Sequence, residues 1–408
     1  MRIFFFLFLS CFLCASCARE ASKAPLNEGI WQGQLTLMEG RQLPFNFKVL
    51  NNDQGRPVIE IYNAEEVILV EDVWVEKDSI RLQPPVFEGY IAGRFTDSSM
   101  VGTFVKESLD RELPFRATYG QEERFSGAAV ARHRVSGVWE MDFAQGGPDA
   151  FKGKGIFNQD GNAVTGTIRT TTGDYRFLDG VMDGDSLRLS TFDGSRAFLF
   201  TAKATDSTLR GHFHSDNHYK QPFFATRNLT YELPSSDSLT FLREGYKELS
   251  FRFPDREGKQ VSLKDERFRD KVVIVQIMGT WCPNCLDETR FLVDFLKESP
   301  KEDLAIVGLA FEYSKTEEKA WASIDRLVER VGVPYPILLA QFGTSDKEKA
   351  QEKLPMLNRV ISYPTTIYID KKGAVRKIHT GFNGPATGVK YEQYKEAFHT
   401  FVDSLLKE

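Results

Sequence analysis

Cysteine is nearly absent from the body of this chain. The sequence has five cysteines in 408 residues, and three of them, Cys11, Cys14 and Cys17, fall near the N-terminus. The remaining two, Cys282 and Cys285, form one Cys-x-x-Cys pair. Because no cysteine lies between Cys17 and Cys282, a small domain held together by several disulfides is excluded.

An excess of basic charge is also lacking. The formal net charge is −5, and acidic and basic residues are interspersed along the chain. Such a composition gives no basic patch for nucleic acid, so we expect no nucleic-acid partner. Hydrophobic content of 41% and charged content of 27% are typical of folded domains. The length predicts two or three of them.

The sequence also lacks an apolar run of membrane-spanning length, which needs about 20 residues. The apolar stretch 3–13 is shorter and follows a basic N-terminus, as in a secretory signal peptide. The Ala-Ser-Cys that ends at Cys17 resembles the end of a lipobox, although Cys14 replaces its usual aliphatic residue. We therefore predict a lipoprotein signal peptide over 1–16, a lipid on Cys17 and a tether over 17–28.

This N-terminus predicts a location on the periplasmic side of a bacterial membrane, either the inner or the outer one. Anchoring would then be through the lipid on Cys17. The alternative is a plain secretory signal that is cut nearby and leaves no anchor. Both interpretations place the mature chain outside the cytoplasm.

A β pattern occupies the chain from Gly29 to about Asn228. Short alternating segments recur there between turn-rich breaks, and no helical period competes with them. Motifs also recur in the same order at an offset of roughly 108 residues, which indicates an internal repeat. We predict two tandem antiparallel β modules, as sandwiches or small barrels, over 29–124 and 134–228. The recurring motifs are Gly29-Ile30-Trp31 with Gly137-Val138-Trp139, 78–82 with 185–189, and 96–104 with 205–213.

Three histidines of the second module, His212, His214 and His218, raise the question of a metal site. Their counterparts in the first module include Thr103 and Val105, which are not metal ligands. No cysteine or acidic partner is fixed nearby by the sequence. We therefore expect no metal and no other cofactor.

The last two-fifths of the chain have a different pattern. Residues 229–247 predict a linker that is rich in Pro and Ser. From 248 to 408, apolar strand segments alternate with helical segments, which predicts an α/β sheet covered on both faces. The strand segments are 271–278, 304–310, 336–339, 363–370 and 375–378, and the helices follow Cys282, Thr316, Asp346 and Tyr391.

Two motifs of this region occur together and in a specific order. Trp-Cys-Pro-Asn-Cys occupies 281–285 directly after an apolar strand, and Tyr-Pro-Thr-Thr occupies 363–366. This combination resembles the thioredoxin superfamily, and within it the extracytoplasmic TlpA-like thiol–disulfide oxidoreductases. The resemblance spans about Glu248 to Glu408 and implies a thioredoxin-like domain that exchanges disulfides with client proteins.

The chemistry of the pair follows from its place between a strand and a helix. The unpaired N–H groups of a helix N-terminus favour a thiolate at Cys282, which is therefore the attacking sulfur. Cys285 lies one turn on and can resolve the mixed disulfide. Pro283 suits the first turn of a helix, where its missing N–H costs nothing.

The resemblance implies further site residues. Pro364 falls where the family has a cis-proline facing the two sulfurs, and Tyr363 before it would pair with the substrate backbone. Trp281 and Pro283 would contact the substrate as well. Glu288 stands where TlpA-like proteins have a glutamate proposed to help proton transfer, with a solvated helix-face residue as the alternative.

Other acid–base features differ from those of thioredoxin itself. The buried aspartate of thioredoxin would fall at Gln276, which cannot titrate. Glu312 is a second candidate acid–base group. Arg290 replaces a helix-kinking proline of many family members, and Met278 stands where an aromatic residue is common. We expect these departures to affect the redox potential and the partner surface more than the reaction.

Two other functions compete with protein disulfide reduction. A peroxiredoxin-like peroxidase would need a threonine before its cysteine, and Thr280 lies only two positions before Cys282. A binding or scaffold lipoprotein would act through its β modules and leave the thiols unused. For the reductase, we expect client thiols and disulfides as partners and a membrane electron donor that re-reduces the pair.

Overall fold

The computed structural model describes residues 26–127, 129–298 and 300–408. The predicted signal peptide, the lipidation site Cys17 and most of the predicted tether lie outside the described residues. The described residues form two β modules followed by one α/β domain. No helix among them is long and apolar enough to cross a membrane.

Module 1 is one antiparallel sheet of nine strands within the described residues, in the order β4-β3-β2-β1-β9-β8-β7-β6-β5. Along several strands buried residues alternate with more exposed ones, and Trp31 of the first strand is fully buried in the core. The strands are β1 Gly29–Thr36, β2 Gln42–Asn51, β3 Pro57–Asn63, β4 Glu66–Val70, β5 Asp72–Glu76, β6 Ser79–Gln83, β7 Tyr90–Phe95, β8 Ser99–Lys106 and β9 Arg111–Tyr119.

Module 2 is a closed antiparallel barrel. Its order is β11-β10-β18-β17-β16-β15-β14-β12-β13, and an additional pairing between β11 and β12 closes the ring. Trp139 of its first strand is fully buried. The strands are β10 Gly137–Phe143, β11 Phe151–Asp160, β12 Ala163–Thr170, β13 Gly173–Asp174, β14 Leu178–Asp183, β15 Ser186–Phe192, β16 Ala197–Ala204, β17 Thr208–Ser215 and β18 Tyr219–Arg227.

The two modules share a core at the β15–β16 hairpin of module 2. Phe192 of this hairpin packs among the aromatic residues of module 1, with ring centroids 4.6 Å from Phe45 and 5.0 Å from Phe104. The side chain of Asn63 in module 1 binds the backbone N–H and C=O of Phe192. These contacts make the modules one packed unit, a feature that the sequence repeat does not indicate.

The C-terminal domain has a five-stranded sheet among its described residues, in the order β23-β22-β21-β24-β25. Strands β21, β22 and β23 are parallel to one another, β24 is antiparallel to β21, and β25 is antiparallel to β24. This is the predicted thioredoxin-like arrangement, and the fold class is confirmed. The elements are β19 Phe253–Pro254, β20 Gln260–Val261, β21 Val272–Met278, α1 Pro283–Glu298, β22 Leu304–Phe311, α2 Glu317–Val331, β23 Ile337–Gln341, α3 Lys347–Lys353, β24 Thr365–Ile369, β25 Val375–Thr380 and α4 Val389–Leu406.

The segment 229–247, predicted as a linker, also packs against the C-terminal domain. Asp237 forms a hydrogen bond of 2.6 Å with His379 and a salt bridge of 3.0 Å with Lys377. Thr240 accepts a hydrogen bond from Thr380 at 3.0 Å. On its other side Glu232 pairs with Lys154 of module 2, so the segment contacts both the module and the domain as well as joining them in the chain.

Candidate active site

The two cysteines lie where β21 gives way to α1. The seven residues of β21 are all buried, and α1 begins at Pro283. Cys282 precedes the helix, and its carbonyl accepts the N–H of Leu286 at 3.1 Å. The N–H of Cys285 donates to Cys282 Sγ at 3.2 Å. The helix N-terminus thus presents an amide donor to the first sulfur, as the sequence predicted.

The two sulfurs differ in access. Both cysteines are free thiols; Cys282 is 5% exposed and Cys285 is fully buried. Burial raises the pKa of the Cys285 thiol, and the neighbouring Cys282 sulfur adds to that effect. Only Cys282 is therefore open to a substrate sulfur, while Cys285 lies behind it within one helical turn.

Tyr363 and Pro364 face the pair from the loop before β24. The Tyr363–Pro364 peptide bond is cis. The Cys282 thiol donates to the Tyr363 carbonyl at 3.3 Å. The ring of Tyr363 packs on Trp281, with centroids 5.5 Å apart. The structure thus brings together four residues that the sequence assigned to the site from two separate motifs.

Glu288 is fully buried on α1, so it is not a solvated helix-face residue. Thr366 of β24 donates to one of its carboxyl oxygens at 2.5 Å, and Gln276 of β21 donates to the other at 2.9 Å. The same Gln276 amide lies 3.4 Å from the Cys285 carbonyl. Burial raises the pKa of Glu288 to about 7, so the carboxyl can exchange a proton near neutral pH.

Glu312 is a second buried carboxyl, at the end of β22. The Thr280 backbone N–H donates to it at 2.8 Å and the Thr280 hydroxyl at 2.7 Å. Burial raises the pKa of Glu312 to about 7. The Thr280 hydroxyl, which a peroxidase would direct to peroxide, is bound to this carboxyl instead.

Sequence reasoning missed that module 2 forms one wall of the site. The Ser195 hydroxyl donates to the Trp281 carbonyl at 2.8 Å, and the Ser362 hydroxyl donates to the Thr172 carbonyl at 3.0 Å. Gly381 comes so close to Thr172 that an added Cβ would lie 2.4 Å from its carbonyl carbon. Local patterns could not reveal these contacts, because each joins residues about 90 to 210 positions apart.

A buried charge cluster holds module 2 on the active-site helix. Arg176 of module 2 donates to Asp287 Oδ2 of α1 at 2.6 Å and to the Pro283 carbonyl at 3.3 Å. It also pairs with Glu66 of module 1 and lies 3.7 Å from Asp193. One arginine therefore joins both modules and the helix that carries the cysteines.

A cleft of about 460 Å³ lies between module 2 and the cysteine pair. We call it the site cleft. Cys282 lies in its wall, next to Trp281, Pro283 and Tyr363. Module 2 provides most of the remaining lining, which includes Tyr175, Arg196, Phe198, Phe213 and Tyr219.

Known proteins resemble the C-terminal domain. The sequence matches the Redoxin family over residues 243–394. It is 27% identical to Thioredoxin-like protein YneN of Bacillus subtilis (strain 168) over 140 residues, covering 34% of this chain and 73% of that protein. It is 28% identical to Thiol-disulfide oxidoreductase ResA of Geobacillus thermodenitrificans (strain NG80-2) over 131 residues, covering 32% of this chain and 66% of that protein. A solved structure, a thiol:disulfide interchange protein of the thioredoxin family from Chlorobium tepidum TLS, is 20% identical with a TM-score of 0.30. The match covers 40% of this chain and 98% of that one.

The C-terminal domain is therefore a thioredoxin-like disulfide oxidoreductase, with its paired thiols at the start of α1. Within the thioredoxin superfamily it is TlpA-like, and the resemblance read from the sequence is confirmed. The Redoxin match begins at residue 243, so it covers neither β module.

Proposed function

We propose that the protein is an extracytoplasmic, lipid-anchored reductase of disulfides in client proteins. The observation that carries the proposal is the arrangement of the two thiols. Cys282 is the accessible sulfur at a helix N-terminus, and Cys285 is buried one turn behind it. Attack and resolution need this division between a sulfur at the surface of the site cleft, 5% exposed, and a fully buried one.

The reaction runs in two exchanges. The Cys282 thiolate attacks one sulfur of the client disulfide, whose S–S bond breaks and whose second sulfur leaves as a thiolate. Cys285 then gives its proton to the Glu288 carboxylate and attacks Cys282, which releases the other client sulfur. The client gains two electrons and the Cys282–Cys285 pair loses two. A membrane electron donor on another protein then reduces the pair.

The electrostatics support reduction over oxidation of clients. Strongly oxidising pairs owe their potential to a stabilised reduced form. Here burial raises the pKa of Cys285, and the nearby Glu288 carboxylate opposes a second negative charge. The Cys285 thiolate is therefore disfavoured on balance, although the Gly279 backbone lowers this pKa, and on this ground we propose that the pair donates electrons to clients.

The location rests on the N-terminal sequence. The Ala-Ser-Cys at residues 15–17 supports cleavage before Cys17 and lipid attachment to it. Cells fed a labelled fatty acid test this directly. We expect the wild-type protein to carry the label and a Cys17→Ala variant to carry none. If neither protein is labelled, the proposed lipid anchor is wrong.

Trapping of the intermediate tests the chemistry. The reduced full chain in mild detergent is mixed with a disulfide-bonded peptide, and the products are separated without reductant. We expect a Cys285→Ser variant to accumulate a mixed disulfide at Cys282, because the resolving sulfur is missing. A Cys282→Ser variant is the control and should form none. If the Cys285→Ser variant stays free of peptide, the proposed exchange is wrong.

A further inference from the structure

The site cleft has an aromatic wall that belongs to module 2. Tyr175, Phe198 and Phe213 contact one another with ring centroids 5.2 Å apart in each pair. Trp281 and Tyr363 form the opposite wall beside Cys282. A ligand at the sulfur therefore packs between rings of two domains, and the C-terminal domain alone provides only half of the site.

Two cations face this cleft without a carboxylate partner. The Arg196 guanidinium lies 5.9 Å from the centroids of both Phe198 and Trp281, one on each wall. Lys347, the first residue of α3, lines the cleft near Cys282. Neither forms a salt bridge within the part of the chain that the structure describes.

The carboxylates of the cleft are already engaged. Asp174 accepts hydrogen bonds from the backbone N–H groups of Gly384 and Arg176, both at 2.7 Å. Asp193 accepts the N–H groups of Ser195 and Arg196 at 2.8 and 2.6 Å. Burial raises the pKa of both carboxyls, to about 6 for Asp174. The cations at the sulfur therefore lack counter-charges of their own.

We propose that the site cleft is a composite substrate site that selects disulfides carrying a carboxylate next to the reacting sulfur. Arg196 of module 2 and Lys347 of α3 bind the carboxylate, and the aromatic walls hold the rest of the ligand. The proposal rests on the thiol–disulfide exchange proposed above. Because Cys282 is 5% exposed, the ligand is a small carboxylated disulfide or an extended acidic segment of a client.

Two aromatic disulfides of different charge test this selection. The reduced full chain is mixed by stopped flow with dianionic 5,5′-dithiobis(2-nitrobenzoate) or with neutral 4,4′-dithiodipyridine. In each case one probe disulfide is reduced per protein to two monomeric products, nitrothiobenzoate thiolate or 4-thiopyridone, as the Cys282–Cys285 pair becomes oxidised. We expect Arg196→Gln and Lys347→Gln each to slow the dianion about fivefold, the loss of roughly 1 kcal/mol. The readout is the ratio of the two rates, because a change in the Cys282 thiolate affects both probes alike whereas loss of a carboxylate contact slows only the dianion. Two-electron oxidation of the pair by the neutral probe shows that the variants are folded.

Lys203→Gln is the matched control. Arg196 directly precedes β16, and Lys203 lies about 20 Å further along that strand, at roughly 3.3 Å per residue. Its loss should leave both rates unchanged. If Arg196→Gln and Lys347→Gln also leave the ratio of the two rates at the wild-type value, the composite site is wrong. If the wild type reacts with neither probe, or reacts equally well as Cys282→Ser, the exchange function itself fails.

A pair of disulfide-linked peptides separates the two sources of the ligand. The peptides are identical except for Asp or Lys beside each cysteine. A preference for the Asp peptide that Arg196→Gln abolishes supports an acidic client segment. If Arg196→Gln slows the reaction with the small dianion but changes the rate with neither peptide, the ligand is a small carboxylated disulfide. A preference for the Lys peptide would overturn the proposal.

Discussion

Glu288 lies between Thr366 and Gln276, fully buried and beside the resolving cysteine. Burial raises its pKa from 4.5 to about 7. The sequence predicted Glu288 as an acid–base group from its spacing three residues after Cys285. It did not predict the hydrogen bond with Thr366, because the two residues are 78 positions apart and the pairing of β21 with β24 is needed to bring them together.

The raised pKa of Glu288 predicts a pH-dependent stability. Between pH 4.5 and 7 the folded protein keeps this proton and the unfolded chain loses it, so the free energy of unfolding falls as pH rises. Glu288→Gln removes this contribution. Relative to the wild type, the variant should gain about 3 kcal/mol of stability between pH 4.5 and 7.5. Urea unfolding at both pH values measures it, and a pH-independent difference would contradict the assigned pKa.

The same substitution predicts a slower second exchange. Without a carboxylate to take the Cys285 proton, resolution of the mixed disulfide should slow by about 10- to 100-fold near pH 7. The first attack by Cys282 should keep its rate. Rapid quenching with acid and mass spectrometry follow the mixed disulfide over time. Equal lifetimes of this intermediate in Glu288→Gln and wild type would show that Glu288 has no part in proton transfer.

At the scale of elements, the parts of the fold with local signals were predicted and the contacts between elements were not. The helix expected over about 316–330 is α2, capped by the Thr316 side chain and ended by Gly332 in a left-handed conformation. The apolar run predicted as a strand is β21. By contrast, nothing local in the hairpin around Phe192 signals its place in the core of module 1. The internal repeat of the two modules stays a prediction.

Gly381, next to β25, lets module 2 approach the site. Its φ is +79°, and a Cβ there would press on the backbone of Thr172. Gly373 is a matched control with φ of +85° and nothing within 4 Å of an added Cβ. Both Ala substitutions strain the backbone, but only Gly381→Ala also meets module 2. We expect it to destabilise the protein by about 1–3 kcal/mol more than Gly373→Ala.

Hydrogen exchange shows where that cost arises. We expect Gly381→Ala to speed amide exchange in the 170–176 turn, since module 2 must move away from the loop. Gly373→Ala should leave exchange there at the wild-type rate. If the two substitutions lower the free energy of unfolding equally, the contact with Thr172 does not contribute to stability.

At the scale of the whole molecule, one buried arginine joins three parts of the chain. Arg176 contacts Glu66 of module 1 and Asp287 of α1, and all three side chains are at most 10% exposed. An exposed counterpart exists at Arg330, which pairs with Glu71 and Asp72 of module 1. The two sites differ mainly in burial, so they form a natural comparison.

Arg176→Gln should cost about 3–5 kcal/mol, because it leaves buried carboxylates without their cation. Arg330→Gln should cost less than about 1 kcal/mol. Burial raises the pKa of Asp287 and Asp193, so the loss of stability should be largest at pH 7–8 and shrink as these carboxyls are protonated toward pH 4. Calorimetric unfolding at both pH values tests this. A pH-independent deficit would contradict a role for charge.

The reduction potential of the Cys282–Cys285 pair tests the central claim most directly. The full chain is equilibrated in glutathione or dithiothreitol buffers, and the disulfide fraction is counted by alkylation. The account predicts a reversible two-electron couple below about −250 mV, at or below the glutathione poise, as a client reductase needs. A potential near about −120 mV would reverse the direction of electron flow. Failure of the pair to form a disulfide would contradict the oxidoreductase account.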